Sequence, residues 1–225
     1  MKKMVLMVCS IAVIATFAFF GCNTGEKSSQ LTIPNGMELS VEPGEYWLGK
    51  RKLFIFSLDR TPQMAAWIEN DHGNYISTII VTNKNAKKKW LNAPKEGRPE
   101  ALPVWNYKIH NNISQIDSVS AATSKGAVDV QIDNDSLING QEYNVYLEIN
   151  HSFDYNNLWT ENNSGVNGQP SLIYHAKFIA GTSGRINLSL IGHGSVDGSN
   201  GNIFKELEGM TTALSIIKNA YIIIN

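Results

Sequence analysis

The chain has 225 residues, 19 Lys and Arg against 20 Asp and Glu, and two cysteines. That length holds one sandwich-sized domain, and the even charge balance excludes a nucleic-acid surface built on basic excess. Both cysteines, Cys9 and Cys22, fall at the start of the chain, which leaves no disulfide framework and no thiolate metal site for the remainder.

In chain order the first element is a leader. Lys2 and Lys3 form a positive head, Met4 to Phe20 an apolar run, and Gly21-Cys22 closes it. This is the layout of a bacterial export signal ending in a lipobox, where a small residue precedes the cysteine that becomes the lipidated N-terminus. An uncleaved transmembrane anchor is the alternative, but it needs about 20 apolar residues, and this run is shorter and contains Ser10 and Thr16. Phe19 stands where a lipobox usually has Leu. The expected division is a signal peptide over 1–21, a small polar tether over 22–30 beginning with lipid attachment at Cys22, and a single β-sandwich domain over 31–225. The location that follows is extracytoplasmic, lipid-anchored to the bacterial cell envelope (periplasm or outer membrane). Without Lys2 and Lys3, 17 basic residues face 20 acidic ones, a net charge of about −3.

The rest is a series of short apolar segments separated by Gly, Asn, Asp and Pro. Leu53 to Leu58 is dense and apolar. Met64, Ala66 and Ile68 alternate with Ala65, Trp67 and Glu69, and Tyr75 to Thr82 follows across Asn70-Asp71-His72-Gly73-Asn74, a hairpin with Gly73 supplying positive φ. Lys84 to Lys89 carries four lysines and reads as a solvated loop or hairpin. The stretch from Lys84 to Ser120 is an irregular insertion with Pro94, Pro99 and Pro103 and with Trp90 and Trp105; loops that long pack against something or bind something.

Val128, Val130 and Ile132 then alternate, Asn139-Gly140 supplies turn chemistry, and Tyr143, Val145, Leu147 and Ile149 share one face of the clearest strand. Leu172 to Ala180 and Arg185 to Ile191 read as a hairpin around Gly181–Gly184. Met210 to Ile217 holds at most one or two helical turns, and Tyr221 to Ile224 is a β-branched run suited to a buried final strand. The predicted fold is all-β, an antiparallel immunoglobulin-like β-sandwich with a long irregular insertion.

Few residues announce chemistry. The histidines lack paired zinc spacing, Asp197 to Asn202 lacks the alternating carboxylates of a calcium loop, and no Gly-x-Ser-x-Gly elbow is present. His151-Ser152-Phe153-Asp154-Tyr155-Asn156-Asn157 directly follows the best strand, with Trp159 beyond it. An imidazole, a carboxylate, a phenol and an indole at the end of a rigid strand make His151, Asp154, Tyr155 and Trp159 the candidate ligand-binding residues. The competing reading pins Phe153 and Tyr155 to the core and leaves the polar groups solvated.

Asp117-Ser118-Val119-Ser120-Ala121-Ala122-Thr123 resembles the motif on which extracytoplasmic flavoproteins carry FMN esterified to a threonine, which points to Thr123; Ala121 stands where that motif has Gly. Together with Trp67-Ile68-Glu69, Tyr143 to Glu148 and Phe153-Asp154-Tyr155-Asn156, the segment resembles the predicted periplasmic family known as domain of unknown function 2271, over approximately residues 50–190. The resemblance implies an immunoglobulin-like fold akin to flagellar hook-cap proteins and a genomic setting near flavin transferases and membrane redox proteins. The leading expectation is a non-enzymatic binding or accessory module of the envelope, recognising an envelope protein or a small ligand. The alternatives are a redox protein carrying FMN on Thr123, or an envelope hydrolase.

Overall fold

The computed structural model describes residues 36–53, 56–88, 95, 97–110, 120–121, 125–133 and 135–225. The leader, Cys22, the tether, Trp90 and Thr123 lie outside them. Among the described residues no helix is long and apolar enough to cross a membrane.

Alternating apolar residues build the first strand, β1 (Met37–Pro43), in which Leu39 and Val41 are fully buried. A separate hairpin, β2 (Gly49–Leu53) and β3 (Phe56–Arg60), leads to β4 (Gln63–Asn70) and β5 (Tyr75–Thr82). The turn between β4 and β5 is the expected one, with Gly73 at φ +77°. The insertion contributes α1 (Asn83–Ala86), a 3-10 turn at Pro99–Ala101 and α2 (Pro103–Ile109). Then come β6 (Ser120–Ala121), β7 (Val128–Ile132), β8 (Glu142–Asn150), α3 (Glu161–Ser164), β9 (Leu172–Ile179), β10 (Gly184–Asn187), β11 (Ser189–His193), a 3-10 turn at Thr212–Ser215 and β12 (Ile217–Ile224).

Two sheets form the sandwich. One has the order β10-β12-β1-β7, the other β11-β9-β8-β4-β5-β6, and every pairing is antiparallel except β5 with β6. Leu39, Val41 and Ile222 from the first sheet meet Met64, Ile68, Leu147, Ile149 and Leu172 from the second in one core. Val145, Leu147 and Ile149 are at 0 % exposure, as their period of two requires. The all-β sandwich read from the sequence is the observed fold.

Two features depart from the sequence reading. The opposite face of β8 is also covered: Asn144, Glu148 and Asn150 are buried. Trp67, Val81 and Ile173 on that outer face form a second apolar cluster with Val104, Trp105 and Ile109 of α2, so the insertion contains a helix and Trp105 fills a satellite core. Trp67 stacks on Tyr146 with centroids 5.2 Å apart, and Lys108 of α2 pairs with Glu69 at 3.0 Å. Pro103 opens α2 without a side-chain cap of its own. Its first N–H groups go instead to Glu148, which accepts from Trp105 N at 2.8 Å and Val104 N at 3.3 Å, and from Ser171 Oγ at 2.6 Å.

The second departure concerns the hairpin after Leu172. The chain leaves β9, joins the other sheet as β10 beside β12, and returns as β11 beside β9. Buried Leu188 is the pivot, its N–H donating to Ala220 O at 2.8 Å.

The sandwich thereby has two distinct ends. Gly36 O accepts from Asn225 N at 3.1 Å where β1 begins, and the β4–β5 turn and the Ile138–Gln141 segment lie at the same end. Pro43 at the finish of β1, His151 at the finish of β8 and the Thr212–Ser215 turn gather at the other.

Candidate functional site

The strand β8 delivers His151 to that second end, where the imidazole is a clamp. Nε2–H donates to the carbonyl oxygens of Tyr46 at 3.1 Å and Trp47 at 3.0 Å, which fixes the tautomer because carbonyls only accept. Burial lowers the pKa of His151 to about 4, against the opposing pull of those two hydrogen bonds, so the ring is neutral at physiological pH. The clamp holds the β1–β2 connection against the end of β8. Gly44 completes that approach: a Cβ there would lie 2.2 Å from Ser215 O, and Tyr46 N donates to the same oxygen at 2.9 Å.

The next residues form a knot. Phe153 has φ +62°, which a bulky side chain rarely adopts. It is held there by its N–H to Val166 O at 2.7 Å and by the N–H of Asp154 to Asn167 O at 3.0 Å. The Arg60 guanidinium lies 5.0 Å from the Phe153 ring centroid. Gly168 closes the knot at φ +75°, in a place where a Cβ would fall 2.3 Å from Asp154 O.

Asp154 is buried and enclosed by donors. Its carboxylate accepts from Thr212 Oγ1 at 2.6 Å and Gln169 Nε2 at 2.8 Å, and from the Tyr46 hydroxyl. Burial raises its pKa, and the Thr212 and Tyr46 hydrogen bonds and the Arg60 charge partly offset that rise. Burial and the Asp154 carboxylate likewise raise the pKa of the Tyr46 phenol, which stays protonated.

In front of this network lies a groove of about 460 Å³ lined by Glu45, Tyr46, Leu48, Thr211, Thr212 and Ser215. Its volume falls within the range of small-molecule sites. Asp154 stands behind the wall and fixes two of the lining side chains, Tyr46 and Thr212. Gln169 fixes a third element, accepting from Thr211 N at 2.6 Å. A second depression, about 530 Å³, lies at the other end of the sandwich and includes Asn70, His72, Ile138 and Tyr143.

The four candidate binding residues therefore take different places. His151 and Asp154 are buried behind the groove. Tyr155 is 37 % exposed, with its hydroxyl donating to Gly165 O at 2.9 Å. Trp159 is partly buried and meets the His193 ring edge-on, centroids 6.2 Å apart. Trp105 of the long insertion lies in the outer-face cluster; the loop's neighbours are the β1–β2 connection and the Thr211–Ser215 turn. Cys22 and Thr123 are outside the described residues; the Ser120–Ala121 end of the flavin-type motif runs parallel to Val81–Thr82 at the sheet edge. The sequence reading missed Tyr46 and Thr212. The available signals were weak: an aromatic pair just after Pro43-Gly44, and paired threonines after Gly209-Met210.

Chemically the arrangement favours binding over proton transfer. His151 is spent on backbone carbonyls, and Asp154 is saturated by donors. Among the described residues no group of three or more His, Cys, Asp or Glu is placed to hold a metal ion. No family model matches the chain, and neither the curated proteins nor the solved structures give a significant match.

Proposed function

We propose that this protein is a lipid-anchored extracytoplasmic binding module, held to the bacterial cell envelope through Cys22 and recognising its ligand in the groove beside Tyr46 and Thr212. The observation that carries the reading is the pre-organised wall of that groove. Buried Asp154 holds both Tyr46 and Thr212, and Phe153 beside it sits at φ +62° at a conformational cost of the kind that concentrates where a site needs rigid geometry.

The groove opens just past Pro43, at the end of β1 opposite to Gly36, and seven residues of strand span roughly 20 Å between them. The resemblance of the Tyr143–Asn156 region to the periplasmic family supports an accessory role in an envelope redox system.

The test is intact mass and visible absorbance on protein purified from its own host, wild type and Cys22→Ser. The expected mass is that of a chain starting at Cys22 with two or three acyl chains, and unprocessed precursor in the variant. Normal processing of Cys22→Ser refutes the anchor. A flavin spectrum with matching added mass, lost in Thr123→Ala, replaces the binding-module reading with the flavin-carrier one.

A further inference from the structure

We propose that this domain cross-links itself: Thr212 Oγ1 attacks the side-chain amide carbon of Gln169, with Asp154 as general base, to give an internal ester and release ammonia. The step needs no bound ligand.

A nucleophile, a base and an oxyanion donor meet at the Gln169 side chain. The Thr212 hydroxyl oxygen lies 2.6 Å from Gln169 Nε2. Because Nε2 is about 1.33 Å from the amide carbon, that oxygen is within about 4 Å of the carbon, close to the roughly 3–3.5 Å of reacting atoms poised for attack. The same hydroxyl donates to Asp154 Oδ1 at 2.6 Å, and the second carboxylate oxygen, Oδ2, accepts from Gln169 Nε2 at 2.8 Å. One carboxylate therefore touches both the nucleophile and the leaving nitrogen. Gln169 Oε1 accepts from the Thr211 backbone N–H at 2.6 Å, the place of a donor to a developing oxyanion.

A hydroxyl is a weak nucleophile until a base takes its proton, and an amide nitrogen leaves only when it gains one. Asp154 accepts the Thr212 proton as the Oγ1–Cδ bond forms, and the negative charge that develops on Oε1 falls on the Thr211 N–H. The carboxyl gives that proton to Nε2, the Cδ–Nε2 bond breaks, and ammonia departs. Asp154 ends as a carboxylate again, nothing is oxidised or reduced, and no co-reactant is consumed. Burial raises the Asp154 pKa against the opposing effects of the Thr212 and Tyr46 hydrogen bonds and the Arg60 charge, which strengthens it as a base. Its enclosure by internal donors closes it to an outside substrate and sets it on this pair.

The reactants are also fixed and shielded. Gln169 is 1 % exposed and Asp154 4 %, so water has little access to the ester once formed. The Gln169 backbone is held on both sides, its N–H donating to Asp154 O at 2.9 Å and its carbonyl accepting from Asn150 Nδ2 at 3.1 Å. Thr212 lines the groove, which gives ammonia a path to solvent. The two residues are 43 positions apart. Their ester ties the segment entering β9, in the six-stranded sheet, to the turn entering β12, in the four-stranded one. Such a link restricts the unfolded chain as a disulfide does, in a domain whose sequence has no cysteine after Cys22.

The experiment is tryptic digestion and mass spectrometry of the full mature protein from its own host, unfolded before cleavage. The expected product joins fragments Gly126–Lys177 and Glu206–Lys218. Its mass should be about 17 Da below the sum of the two, one ammonia, with fragmentation placing the bond between Gln169 and Thr212 and hydroxylamine separating the pair. Thr212→Ser keeps the hydroxyl and should keep the link, whereas Thr212→Val and Asp154→Asn should lose it. Thr212→Val should melt about 10 °C below Thr212→Ser; equal melting temperatures overturn the stabilising role. Wild-type fragments found only at their separate, unmodified masses overturn the ester, whether or not the variants fold. A link that persists in Thr212→Val or in Asp154→Asn overturns the assigned nucleophile or base.

Discussion

Glu148 offers the sharpest physical test of the interior. It is fully buried, its hydrogen bonds come only from Ser171 and two backbone N–H groups, and among the described residues no charged group contributes to its titration. Desolvation pushes its pKa from 4.5 to about 7, and by linkage that difference is worth about 3 kcal/mol. A pKa raised on folding contributes stability that is complete below pH 4.5 and is lost as pH rises through about 7. His151 works in the opposite sense: with its pKa lowered from 6.5 to about 4, its contribution is complete above pH 6.5 and is lost as pH falls toward 4. Between pH 4.5 and 6.5 the two slopes oppose each other, so the wild type hides both.

Glu148→Gln removes one of them. The amide oxygen can take the Trp105 N–H, and the amide nitrogen can donate to Ser171, whose hydroxyl also accepts. The long bond from Val104 is lost, at a cost of about 1 kcal/mol. The variant should therefore be about as stable as wild type at pH 5 and about 2 kcal/mol more stable at pH 8. Urea titrations followed by tryptophan fluorescence suit this test, because Trp67 and Trp105 are fully buried in the outer-face cluster. A stability difference that stays constant from pH 5 to pH 8 would refute the reasoning.

Three further outcomes follow from the packing. Leu147→Ala, at a fully buried core position, should cost about 2–5 kcal/mol by chemical denaturation; a loss under 1 kcal/mol would mean the two sheets do not close over it. Gly168→Ala should destabilise by more than about 2 kcal/mol and weaken ligand binding together, since its Cβ would strike Asp154 O; a native-like melt contradicts the knot. Asp154→Asn should lower stability by about 1–3 kcal/mol at pH 7, because an amide cannot accept from Thr212, Gln169 and Tyr46 at once; unchanged urea unfolding would show that the carboxylate is not their common acceptor.

What the sequence revealed and concealed has a physical pattern. β8 was legible because Tyr143, Val145, Leu147 and Ile149 repeat at a period of two with polar residues between them. The cover over those polar residues was not, because α2 has seven residues, too few to show a helical period, and its cap is Glu148, 43 positions from Trp105. Arg185 to Ile191 looks like one strand; whether it stays in one sheet is decided by the burial of Leu188, a tertiary choice with no local signal. In the site, the His151–Trp159 loop was found because it follows the strongest strand. Its groove was not, since the lining comes from Tyr46, 105 residues before His151, and Thr212, 58 residues after Asp154. Polar residues with evident chemistry proved to be the supports, and the surface they support is made of ordinary tyrosine and threonine.

The central claim is that recognition occurs in the groove at the end of the sandwich where β1 finishes. Isotope-labelled protein titrated with a solubilised envelope extract from its own host, followed by amide chemical shifts, tests this most directly. The account predicts changes clustered on Glu45, Tyr46, Leu48, Thr211 and Thr212 that vanish in Ser215→Trp. Changes clustered instead on Asn70, His72, Ile138 and Tyr143, at the opposite end of the sandwich, would contradict it.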